Sequence, residues 1–106
     1  MPDNKKIQEM QFLEQNLQNF ILQKQAFQIE LSETNSALKE VEKAGEEVFK
    51  IIGQLMIKTD KSNTKRELED KKKVLGLRVK AIEKQESSLA EQLEKLREEV
   101  LKSINK

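Results

Sequence analysis

The sequence predicts a mostly α-helical protein in which two long helices form an antiparallel coiled coil and are joined by one β-hairpin. Two long, charged segments carry apolar residues at steps of three and four, the spacing of a coiled-coil seam. Between them, residues 48–58 are dense in β-branched and aromatic side chains, which favour strands. The 106 residues suit a single domain over 1–106, with a helix at about 3–44, the hairpin at about 47–59 and a second helix at about 62–105.

The first segment has a heptad repeat that runs for more than four heptads from Met10. Lys24 and Thr34 are the polar residues in its seam, which is the set of positions that would face the second helix. We expect Asp3 to cap the start of this helix and Gly45 to mark its end. The seam positions are Met10, Leu13, Leu17, Phe20, Lys24, Phe27, Leu31, Thr34, Leu38 and Val41.

Several apolar residues of the first helix fall outside the seam, and the helix is also rich in glutamine. Isolated exposed apolar residues are common on proteins, and ordinary scatter is one interpretation of this pattern. The other is a second, weakly charged surface that is available to something else. The apolar residues are Ile7, Phe12, Ile21, Leu22 and Ile29.

The hairpin prediction places Gly53 at the first central position of a two-residue type II′ turn. Ile52 then pairs with Leu55 and Ile51 with Met56, so both faces are largely apolar. A lone two-stranded hairpin with two open edges is marginal in water. It is either a hydrophobic linker that folds back on its own helices or an assembly element that joins other copies in a shared sheet or barrel. The candidate assembly residues are Val48, Phe49, Ile51, Ile52, Gly53, Leu55, Met56 and Ile57.

The second segment carries an apolar residue at every seventh position from Leu68. Ser62 is the expected N-cap of this helix, and Thr64 with Glu67 forms a rival capping box. Gly76 lies in the middle of the helix but outside the predicted seam. The seam positions are Leu68, Lys72, Leu75, Val79, Ile82, Glu86, Leu89, Leu93, Leu96 and Val100.

Two segments of similar length joined by a short hairpin should pack antiparallel. A register in which paired residue numbers sum to 106 stacks the two apolar patterns and brings Lys24 within about one turn of Glu86. A register shifted by one heptad, with a sum of 113, also keeps most apolar pairs, so the sequence leaves both registers possible. In the first register the two chain ends meet at the far tip, where several apolar residues have few partners.

The composition argues against several classes of function. The absence of cysteine and histidine removes thiolates, disulfides and the usual general base. The carboxylates alternate with lysine and arginine, as on a solvated helix face, and no glycine-rich phosphate loop is present, so we expect no enzyme, cofactor or metal site. A net charge of +1 without a dense basic region argues against nucleic acid. No apolar run approaches the ~20 residues of a membrane span, and the cytoplasm is the expected compartment.

Short motifs at the hairpin and on the second helix carry a family resemblance. They are EVFK at residues 47–50, Gly53, LMIK at 55–58, LxLR at 75–78 and IEKQE at 82–86. Together with the glutamine-rich first helix, they resemble the β-class subunits of prefoldin, a co-chaperone of archaea and eukaryotes. The resemblance covers nearly the full chain and points to an archaeal source.

The resemblance implies a hexamer of two α-class and four β-class subunits, whose hairpins build a β-barrel body that carries the coiled coils. It also implies a chaperone that works without ATP or a cofactor. The coiled-coil tips would hold non-native proteins and transfer them to a group II chaperonin. Met10 and Val100 occupy seam positions, which also suits a place in the core. The implied client contacts, here called the tip residues, are Ile7, Met10, Phe12, Val100, Leu101 and Ile104.

The main alternative is a structural coiled-coil scaffold in which the hairpin only joins two helices. It predicts a stable homo-oligomer with no affinity for unfolded chains. A helix that lies on a membrane surface is disfavoured, because neither helix has a strongly basic polar face. For the tip residues, the alternative is a frayed helix end without a function.

Overall fold

The computed structural model describes residues 4–104 and consists of two helices that flank one hairpin. Helix α1 spans Asn4–Lys43, strand β1 Glu47–Ile52, strand β2 Leu55–Asp60 and helix α2 Lys61–Ile104. The predicted fold class, two long helices joined by a β-hairpin, is therefore confirmed. The predicted N-cap of α1, Asp3, lies outside the described residues. The prediction of one domain over residues 1–106 stays a prediction.

The chain divides into two compact units, which are described one at a time. The first, here called the end unit, holds α1 through Ala26 and α2 from Val79 onward. The second, here called the hairpin unit, holds Phe27–Arg78 and therefore both strands.

The core of the end unit follows the predicted heptads. Its buried apolar residues are all seam positions of α2, and the α1 seam positions that face them are half-buried. A narrow seam of this kind buries little of each helix, which is why the rest of the surface is so highly charged. The buried residues are Val79, Ile82, Leu96 and Val100.

In the hairpin unit, the core again lies at seam positions. Leu75 and Thr34 are each only 3% exposed. The Thr34 hydroxyl donates to the backbone carbonyl of Glu30 at 2.8 Å, so a polar residue is accommodated in the seam by a bond within its own helix.

Contacts inside each unit agree with the register in which paired residue numbers sum to 106. In the hairpin unit, the Arg78 guanidinium lies 5.6 Å from the centre of the Phe27 ring, and Lys65 Nζ lies 2.8 Å from a carboxylate oxygen of Glu42. The register shifted by one heptad would place Lys71 opposite Glu42, whereas Lys71 Nζ lies 3.6 Å from Glu30.

The hairpin has the predicted pairing. Strands β1 and β2 are antiparallel, with Ile52 opposite Leu55, and the register extends outward to Glu47 opposite Asp60. Gly53 has a φ of 61°, and no other residue of the described chain has a positive φ. A positive φ at the first central position alone is the signature of a type II′ turn, so this prediction is confirmed.

The start of α2 differs from the prediction. Asp60, the last residue of β2, is the N-cap, and its carboxylate accepts a bond from the backbone N–H of Asn63 at 2.7 Å. Ser62 donates its hydroxyl to the same carboxylate at 3.1 Å instead of capping the helix. The choice of Ser62 was wrong, as was the rival box that begins at Thr64, because the strand passes directly into the helix and the cap comes from the strand itself.

The end of α1 is stabilised by a residue that the sequence did not single out. The helix stops at Lys43, just before Gly45, but Gly45 does not adopt the left-handed conformation of a glycine cap. Instead, Lys61 Nζ donates to the backbone carbonyls of Glu42 and Ala44 at 3.1 and 3.0 Å. A cation at these carbonyls satisfies groups that the helix end leaves unpaired.

Candidate functional site: the hairpin and the chain ends

The hairpin exposes apolar side chains on both of its faces. Among residues 4–104 two strands form the whole sheet, and no second layer of strands covers either face. Val48 is half-buried, whereas the other six apolar residues are between 42% and 70% exposed. These six are Phe49, Ile51, Ile52, Leu55, Met56 and Ile57.

The outer edges of the hairpin are also without partner strands in the described chain. Within the part of the chain that the structure describes, β1 pairs only with β2, which leaves one row of backbone N–H and C=O groups on the far side of each strand. Such edges readily pair with strands of other chains. Exposed apolar faces and open edges together make this hairpin a candidate surface for assembly.

Polar contacts fix the hairpin at its base. Lys50 Nζ lies 2.8 Å from the Glu67 carboxylate on α2, and the backbone N–H of Lys61 donates to the carbonyl of Glu46 at 3.0 Å. Within the hairpin, Lys58 Nζ and a Glu47 oxygen are 2.9 Å apart. The strands are therefore positioned relative to the adjoining helix segments, while six of the seven apolar side chains of the hairpin stay exposed.

The tip residues divide by burial. Phe12 is 65% exposed, and Leu101 and Ile104 are about half exposed, at 50% and 55%. Ile7 and Met10 are half-buried. Val100 is 8% exposed and lies in the core, the alternative that its seam position left open.

A pair of opposite charges lies in the seam of the end unit. Lys24 Nζ and Glu86 Oε2 are 2.9 Å apart, and the two side chains are 25% and 17% exposed. The predicted meeting of these seam residues is thus confirmed. Glu86 Oε1 is buried without a hydrogen-bond partner, so the carboxylate depends on Lys24 alone.

A second ion pair joins Glu42 to Lys65, whose side chains are 58% and 43% exposed. The hydrogen bond between the two side chains, assisted by Coulomb attraction, lowers the pKa of Glu42 and raises the pKa of Lys65. Charges so exposed are screened by water and salt, so we assign this pair no functional role.

Sites for small ligands were not expected from the sequence. Within residues 4–104, no group of three or more His, Cys, Asp or Glu residues is placed to hold a metal ion. The described helices include none with the length and hydropathy needed to cross a bilayer. Within residues 4–104, the large apolar residues that are exposed outside the hairpin and the tip lie on the helices, and they are Leu22, Ile29, Val74 and Leu77.

Comparison with known proteins links this geometry to one family. A family model described as "Prefoldin subunit" matches residues 4–106. "Prefoldin subunit beta" of Pyrobaculum calidifontis is 41% identical over 92 residues, which cover 85% of this chain and 74% of the relative. The protein of the same name from Thermococcus onnurineus is 42% identical over 89 residues, covering 82% and 77%. The crystal structure of the prefoldin beta subunit from Thermococcus strain KS-1 is similar with a TM-score of 0.86 and 33% identity, over 94% of this chain and 90% of that chain.

Proposed function

Because this chain belongs to the prefoldin subunit family, whose members are chaperone subunits that assemble with one another, we propose that it is a β-class subunit of a holdase. A holdase keeps non-native proteins from aggregating without using ATP. The observation that carries the proposal is the hairpin, whose apolar residues are exposed on both faces. Such a surface is costly in water unless other subunits cover it.

The proposed partners are α-class prefoldin subunits, in a complex of two α-class and four β-class chains. The open edges of β1 and β2 would pair with hairpins of neighbouring subunits, and closure into a barrel would leave no free edge. The chain would act as one prefoldin-like domain over residues 1–106, with the hairpin as its assembly element.

The proposed client contacts are the exposed tip residues Phe12, Leu101 and Ile104. Their side chains offer separate apolar points rather than a deep pocket, which suits weak binding of many different unfolded segments. Ile7 and Met10 are half-buried and would add to the contact when the helix ends loosen. Several tips in one complex would bind one client together, so that avidity compensates for weak single contacts.

Transfer of the client to a group II chaperonin completes the proposal, with the cytoplasm as the compartment. Weak contacts at several points favour such a transfer, because each contact can be released separately while the others hold.

The test uses the full chain mixed with an α-class partner, and a chemically unfolded protein diluted into the mixture without nucleotide. The tip variant is Leu101→Ser with Ile104→Ser. The matched control is Val74→Ser with Leu77→Ser, which removes two exposed apolar residues from the same helix. We expect the tip variant to lose most of the suppression of light scattering and the control to retain it, with the mass of the complex unchanged in both.

The alternative function, a scaffold that binds no clients, predicts a different result. Assembly would be normal, but light scattering would be the same with and without the wild-type complex. Equal loss of activity in the tip variant and the control would also contradict client binding at the tip.

A further inference from the structure

One outward face of α1 in the end unit carries no charge. In a coiled coil, heptad positions b and f point away from the partner helix. Within α1 of the end unit, six successive positions of this kind are uncharged and exposed, although 37% of the chain is charged. They are here called the amide face, and they are Gln8, Gln11, Gln15, Gln18, Leu22 and Gln25.

The corresponding face of α2 in the same unit has the opposite character. All seven of its described b and f positions are exposed, and five of them are charged. Lack of charge is therefore a property of α1 rather than of outward positions in general. The α2 positions are Lys80, Lys84, Ser87, Glu91, Glu94, Glu98 and the tip residue Leu101.

The side chains of the amide face are available for binding. Within residues 4–104, none of the six takes part in a side-chain hydrogen bond or an ion pair. Each glutamine offers an acceptor oxygen and two N–H donors. Covering amides costs less desolvation free energy than covering charges, provided that the amides find new hydrogen bonds.

The chemistry of this face selects the kind of partner. A helix has its backbone groups bonded internally, and a partner helix would require a row of apolar residues, of which the face has only Leu22. An extended, non-native polypeptide has unpaired backbone N–H and C=O groups. Amides that donate and accept match both of these groups regardless of the client's sequence.

We propose that the amide face is a second contact surface for non-native polypeptide, beyond the tip residues. Its glutamines bond to the backbone of an extended client segment, and Leu22, which is 62% exposed, provides an apolar anchor. Phe12, which is 65% exposed, adjoins Gln11 and links this face to the tip residues. The inference rests on the proposed holdase function and adds to it a preference for uncovered backbone.

The test compares two pairs of identical substitutions in the full chain, assembled with an α-class partner. Gln11→Glu with Gln18→Glu places charge on the amide face with little change of shape. Gln85→Glu with Gln92→Glu places the same charge at exposed positions of α2. We expect half suppression of aggregation to need about three- to tenfold more of the first variant than of wild type, because a bound client must desolvate or avoid the two charges. The control should match wild type.

A photo-reactive residue then locates the contact. Placed at position 15 on the amide face, it should capture an unfolded client several times more often than at position 87 on the charged face of α2. Equal capture at both positions would overturn the proposal, as would equal behaviour of the two glutamate pairs. A change in the mass of the complex in the amide-face variant would show an interface between subunits and overturn it as well. Failure of the wild-type complex to suppress aggregation would instead contradict the proposed function itself.

Discussion

Lys24 and Glu86 are charged residues in an otherwise apolar seam, and each depends on the other. The ammonium donates to one carboxylate oxygen at 2.9 Å, while the other carboxylate oxygen stays buried without a partner. Removing water from two charges offsets much of their attraction, so the pair contributes little net stability. Loss of one partner is costly, because the remaining charge is partly buried and unpaired.

We therefore expect Lys24→Leu to destabilise the protein by about 2–4 kcal/mol. The double variant Lys24→Leu with Glu86→Leu should be close to wild type or more stable, since two apolar residues then fill the seam. Denaturant unfolding of the single and double variants at one protein concentration measures both values. A double variant as unstable as Lys24→Leu alone would contradict this account.

Lys61 joins the end of α1 to the start of α2 through two carbonyls and one backbone bond. Lys61→Met keeps much of the side-chain length but removes the ammonium, and we expect a loss of about 0.5–1.5 kcal/mol. Faster amide hydrogen exchange in the last turn of α1 would report where the stability is lost. Lys65→Met, which removes an exposed cation of the same region, serves as the control and should change exchange there much less.

At the residue scale, the sequence predicted patterns better than individual contacts. The meeting of Lys24 with Glu86 followed from two interruptions of apolar repeats. The role of Lys61 did not, because it depends on how the strand enters the helix and on which carbonyls lie nearby. Asp60 was missed as the cap for the same reason, since the hairpin was expected to end at about residue 59 and the helix to begin at about residue 62.

At the element scale, two glycines show how conformation decides the effect of a substitution. Gly76 lies in α2, and a Cβ there would meet no atom within 4 Å. Gly76→Ala should therefore stabilise the protein by about 1 kcal/mol. Gly53 has a φ of 61°, so Gly53→Ala should cost about 1–2 kcal/mol even though space is available. Melting temperatures of the two variants at equal subunit concentration measure both effects. Shifts of the same sign would contradict the opposite roles of the two glycines.

The hairpin register was predictable because a two-residue turn with glycine at its first position fixes every pair that follows. The coiled-coil seam was predictable because heptads repeat over each whole helix. By contrast, the register between the helices stayed open between two values until contacts such as Arg78 with Phe27 were known. Local patterns thus define the elements, and tertiary contacts select among the ways to pair them.

On the scale of the whole molecule, we expect the hairpin to control assembly independently of the helices. Ile51→Asp with Met56→Asp places two charges on one apolar face, where a partner subunit would have to desolvate them. The variant should remain helical by circular dichroism but fail to join the complex, with a mass close to the 12.3 kDa of one chain. Leu77→Asp, on an exposed position of α2, is the control and should assemble normally. Normal assembly of the hairpin variant would contradict the role of these faces.

The uncovered hairpin also has a consequence for how a cell degrades subunits that are made in excess. If its strands are stable only when neighbours cover them, then the folded fraction follows mass action and rises with the concentration of partner subunits. A chain made in excess would keep its helices but open its strands repeatedly, and proteases cleave such open segments first. The hairpin would thus let a cell remove surplus subunits while complete assemblies persist.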